Sequence, residues 1–211
     1  MIELVSPLGV PTGSLGCDGP KDLRPAVRAD VYVRLPELDD EHGRAMGGAD
    51  GELEGVSFAP HDIGVTPTKA CYLAAPASVE VLGYVLGFRG PAQGVFFDDA
   101  RIRNGEGTTL HALDRVRGGT AERYVCEDAY HPIHVANAWD DETSGCPSMI
   151  AACWPPDCVN AMASERRDIL GDWAPLLGGD FSGAAVTQLV QFSGHGGGAS
   201  ARVLCSGAHL D

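Results

Sequence analysis

The sequence predicts a mainly β chain, an antiparallel β-sandwich or jelly-roll-like domain with one short inserted α-helix. Three observations predict it. Short apolar runs alternate with a period of two. Glycine and proline, 28 and 14 of 211 residues, punctuate those runs with turn signals. Only one segment carries apolar residues at helical spacing.

Residues 1–29, rich in Gly and Pro and without periodicity, read as an extended N-terminal arm of the kind that packs on a neighbouring subunit. Residues 30–211 read as a single β-rich domain, with Gly118-Gly119 as the alternative point of division. In "DVYVRLPEL", Val31, Val33 and Leu35 alternate with Tyr32 and Arg34, which is a half-buried strand that Pro36 ends or places at a sheet edge. The acidic, glycine-rich "DDEHGRAMGGADGELEG" then reads as an exposed loop.

Residues 78–88 are apolar on both faces, Val79, Val81 and Val85 against Leu82, Tyr84, Leu86 and Phe88, so they need cover on both sides. Tyr84 and Phe88 are thereby candidates for an interface. "VFFDDARIRNGEG" predicts a hairpin about Asn104-Gly105, because a type I′ turn needs positive φ at both central residues, with strand pairing from Val95 to about Leu113.

The helix is expected at about 158–170, with Asp157 as N-cap, a stripe of Val159, Met162, Ile169 and Leu170, and Gly171 as the stop. The last forty residues return to strand. "GAAVTQLVQFSG" and "ASARVLCSG" flank "HGGG" as a second hairpin.

Composition excludes several functions. A net charge of −14 with no basic run repels phosphate backbones, so nucleic acid is not expected as a partner. No apolar span is long enough to cross a membrane as a helix, and the first residues lack the pattern of a signal peptide. No nucleophile elbow, P-loop or dinucleotide fingerprint occurs, and no catalytic residue is assigned.

The densest chemistry lies in "YVCEDAYHPIHVANAWDDETSGC", Tyr124 to Cys146. His131 and His134 are three apart, which on a straight strand places them on opposite faces, so they converge on one metal only where Pro132 bends the chain. With Asp140 they would form a set suited to zinc, iron or manganese. The default for these histidines is a polar connection between strands.

Seven cysteines are an odd count with irregular spacing, as in a reduced interior where Cys71 and Cys205 serve as small hydrophobes on strands. Cys126, Cys146, Cys153 and Cys158 are the candidates for a zinc site or a disulfide. Trp139 and Trp154 sit in loop-like contexts where an aromatic ring anchors an interface or stacks on a sugar. Carboxylate pairs such as Asp98-Asp99 and Asp140-Asp141 read as solvated surface.

From these residues the expected function is that of a non-enzymatic structural or assembly protein, such as a subunit of a viral particle or surface layer. It would be oligomeric through protein contacts, without a required cofactor, and located in a virion or at a cell exterior. The alternatives are a metal-dependent enzyme using His131, His134 and Asp140 with zinc or another divalent metal, and a carbohydrate-binding module.

Overall fold

The computed structural model describes residues 31–38, 45–53, 62–79, 95–165 and 186–207. The expected arm, most of the two-sided strand with Tyr84 and Phe88, and the C-terminal part of the expected helix lie outside them. Within them the chain is mainly β, with two helices.

A hairpin of β1 (Val31–Leu38) and β2 (Ala45–Leu53) is extended by the short β8 (Gly119–Thr120). β1 is the edge strand, which is how Pro36 is accommodated inside it, opposite Gly48. β2 corrects the expected exposed loop. Its backbone pairs with β1 from Leu53 to Ala45, and glycine-rich, acidic side chains hide that pairing from any hydrophobic pattern.

The main sheet has eight strands in the order β10-β11-β12-β13-β9-β7-β4-β3. Its strands are β3 (Gly64–Val65), β4 (Lys69–Ala74), β7 (Thr109–Asp114), β9 (Glu122–Val125), β10 (His131–Asp140), β11 (Pro147–Trp154), β12 (Gln188–His195) and β13 (Gly198–Ser206). Two antiparallel meanders, β3-β4-β7-β9 and β10-β11-β12-β13, meet at one parallel pairing, Gly198 with Val125.

The two ends of this sheet return to each other. Asp62 Oδ2 accepts from Val135 N–H at 2.7 Å, and Thr68 Oγ1 donates to Asp140 Oδ2 at 2.8 Å. Between them Gly64 lies so close to β10 and β11 that a Cβ there would fall 2.7 Å from Ala138 Cβ and 2.5 Å from Met149 Cε. The sheet is therefore a near-barrel. This corrects the sandwich or jelly-roll expectation: strands follow one another as meanders, and curling, not stacking of two separate sheets, encloses the core.

That core holds Cys71, Leu73 and Leu110 from one meander and Met149, Val190 and Phe192 from the other. A second cluster lies under α2 (Pro156–Glu165), where Val159, Met162 and Ala163 pack on Ala77, Val95 and Phe97. Val159 and Met162 are the stripe that the helical spacing predicts. Pro156 occupies the first turn, where its missing N–H costs no hydrogen bond, so Asp157 falls inside the helix instead of capping it.

The expected hairpin at Asn104-Gly105 is a helix end. Asp98 accepts from Arg101 N–H at 3.2 Å and caps α1 (Asp99–Arg103). Asn104 has φ −84°, and only Gly105 takes a positive φ of 81°, so the two positive angles of a type I′ turn are not both present. β6 (Val95–Phe97) instead pairs with β5 (Ala77–Val79), while β7 lies between β4 and β9. The second expected hairpin is present: His195 pairs with Gly198 across Gly196 and Gly197, at φ 50° and 86°.

Candidate functional site

Within the stretch from Tyr124 to Cys146 both histidines stand on a strand, not in a connection. β9 ends in the stretch, β10 occupies its centre, and a tight turn leads to β11. Asp141 holds that turn, its carboxylate accepting from the N–H groups of Thr143 and Ser144 at 3.1 and 2.8 Å.

β10 pairs with β11 through two irregularities, one between Pro132 and His134 and one between Val135 and Asn137. Each leaves one extra residue on β10, Ile133 and Ala136, and an extra residue reverses the alternation of faces. His131 stands opposite Trp154 and His134 opposite Ala152, two residues apart on β11, so the register gives both histidines one face. A bulge achieves what the sequence assigned to a bend at Pro132. Asp140, opposite Pro147, falls by the same register on the other face with Val135 and Ala138, and its carboxylate accepts from Thr68.

The two histidines have different surroundings. His131 is half-buried between the rings of Phe97 and Trp154, with centroids 5.2 and 5.0 Å away. That environment packs an imidazole as an aromatic ring. The side chain of His134 is 70 % exposed, and its Nδ1 lies 3.7 Å from Asp62 Oδ2, the oxygen that accepts from Val135 N–H. A carboxylate near the Nδ1 side of the ring is an arrangement that metal-binding histidines use. Asp62 was not foreseen from the sequence. It follows His61 in the string "PHDIG", with no spacing that distinguishes it from an ordinary turn carboxylate.

Among the described residues no three His, Cys, Asp or Glu side chains come together as a metal site. None of the cysteine candidates is in a disulfide, and they stand in separate places. Cys153 lies in the near-barrel core near the end of β11, Cys146 packs against that core before the strand's start, Cys158 lies with α2, and Cys126 is buried after β9. Burial pushes the Cys153 thiol up to about 12, so it stays protonated. Trp139 is half-buried on β10, and half-buried Trp154 is committed to His131 and the cluster under α2.

No protein-family model matches the sequence, and no curated protein sequence does. Solved structures do. A point variant of the Synechocystis apocarotenoid oxygenase matches with a TM-score of 0.59 and 20 % identity, over 85 % of this chain and 33 % of that one. The fold resembles that of an apocarotenoid oxygenase. A chimera of that oxygenase with RPE65 gives 0.60 and 20 %, over 82 % and 32 %. The cobalt-substituted Synechocystis enzyme gives 0.59 and 20 %, again over 82 % and 32 %. The chain spans about a third of the length of these structures.

These neighbours correct the functional expectation. They are oxygenases, and the likeness extends over most of this chain, so the reading as a virion or surface-layer subunit is not retained. Among the described residues no helix is long and apolar enough to cross a membrane.

Proposed function

We propose that this chain contributes part of a metal-dependent oxygenase, with His134 as a ligand to a divalent transition metal. One observation carries the reading: the Asp62 carboxylate both accepts from Val135 N–H and lies 3.7 Å from Nδ1 of His134, whose side chain is 70 % exposed. The fold likeness to an oxygenase that accepts cobalt in substitution supports it.

The described residues fit such a metal at one donor and do not complete a ligand set. When bound, the metal would supply Lewis acidity and redox chemistry toward dioxygen. The chain's own part is to orient the imidazole by the Asp62 contact and to hold β10 in register. The substrate class follows the neighbours' name, an apolar polyene of the apocarotenoid kind.

Titration of the full chain with Co2+, followed by visible absorption, tests the proposal. The expected result is saturable binding at least about tenfold weaker in His134→Ala. The exposure of His134 makes that substitution compatible with folding, which circular dichroism checks. Indistinguishable binding by the two proteins would overturn the reading, as would failure of the native chain to bind cobalt at all.

A further inference from the structure

We propose that Tyr72 and His111 share one buried water molecule, held between β4 and β7 as a built-in part of the fold. The two residues pair directly across these strands, Tyr72 opposite His111, so their side chains leave the sheet on one face. They are 2 % and 1 % exposed. Among the described residues neither Tyr72 Oη nor His111 Nδ1 has a hydrogen-bond partner, and both atoms are sealed from solvent.

Leu53, Ala70, Ala74, Leu113 and Ala121 form one apolar cluster with Tyr72. A buried hydroxyl or imidazole nitrogen without a partner destabilises the fold, by roughly tenfold or more in the unfolding constant. Two such costs on adjacent positions of one strand pair are removed together by a single guest that donates and accepts.

Water has that chemistry, and buried waters in proteins join polar groups that would otherwise be orphaned. A larger polar ligand does not suit the aliphatic wall. A metal ion does not either, since the phenol would have to ionise, and the Arg123 and Arg101 guanidiniums already act on His111 as repelling cations. The neutral imidazole and the phenol can each donate or accept, so one water satisfies both.

The test is a double-mutant cycle on the full chain, with unfolding constants from urea titration. Tyr72→Phe and His111→Leu should each raise the unfolding constant about tenfold, and the double variant should raise it by about the same factor, well short of their product. Multiplying effects would overturn the shared guest. If His111→Leu does not fold, His111→Phe takes its place in the cycle, because its ring keeps the packing and removes the nitrogen. A nuclear magnetic resonance cross-peak between water and the Tyr72 hydroxyl or His111 ring N–H proton is expected in the native chain and lost in Tyr72→Phe. Absence of the cross-peak from the native chain would also overturn it.

Discussion

Asp62 and Val135, 73 positions apart, are joined by a 2.7 Å hydrogen bond from the Val135 amide to the Asp62 carboxylate. That bond closes the near-barrel at the point where β10 has just passed one bulge and enters the next. An irregular strand edge has amides without ladder partners, and a carboxylate from the opposite end of the sheet satisfies one of them. The same carboxylate lies 3.7 Å from His134 Nδ1, so closure of the fold and the candidate site meet at one side chain.

Replacing Asp62 by Ala is therefore expected to destabilise the protein by about 1–3 kcal/mol, because the acceptor is charged and the amide is left inside a closed seam. Asp62→Asn keeps an acceptor oxygen and should lose less than half as much. Urea midpoints give the totals, and hydrogen exchange locates the effect: the Val135 amide should exchange faster in Asp62→Ala, with the β12–β13 hairpin unaffected. An unchanged midpoint would remove Asp62 from the account of closure.

Acid should weaken the fold through His111 before most carboxylates are protonated. Burial, reinforced by the Arg123 and Arg101 cations, lowers its pKa from 6.5 to about 4. The unfolded chain then binds a proton that the folded chain rejects, so stability is full above about pH 6.5 and declines as pH falls toward 4. The loss is at most about 3 kcal/mol. Asp114, held down to about 2 by hydrogen bonds from Arg117, titrates below this window. Urea midpoints between pH 4 and 7 should slope in the native chain and flatten in His111→Leu; an equal slope in both would assign the effect elsewhere.

Thiol reactivity should divide by burial. Cys71 and Cys153 are fully buried and pushed up to about 12, with desolvation the first cause in each case. Cys205 is exposed near the end of β13. Under native conditions a disulfide reagent should modify Cys205 first, then the half-buried Cys146 and Cys158, and reach Cys71 and Cys153 only on unfolding. Fast native modification of Cys153, followed by peptide mass mapping, would show that the core opens locally.

Much of the architecture was legible in the sequence where local chemistry decides it. Gly196-Gly197 makes a hairpin because both positions need positive φ and have no side chain to oppose it. Val159 and Met162 form a buried stripe because helical spacing aligns them. At Asn104-Gly105 the same reasoning failed, since a glycine at positive φ ends a helix as readily as it turns a hairpin, and the Asp98 cap decided between them.

The candidate site was legible only in part. His134 and its neighbourhood attracted notice by composition, but the faces of β10 depend on bulges that the partner strand imposes, and strict alternation separates His131 from His134 where the register unites them. Asp62 could not be found by spacing, because its partner is 73 positions away and is a backbone amide without residue identity. The sequence by itself determined the β class, the net negative charge, the glycine hairpin and the amphipathic helix stripe, all consequences of local stereochemistry and composition. Tertiary structure alone decided the strand order, the closure by Asp62 and the likeness to an oxygenase at 20 % identity, because long-range register and burial can be met by many different residues.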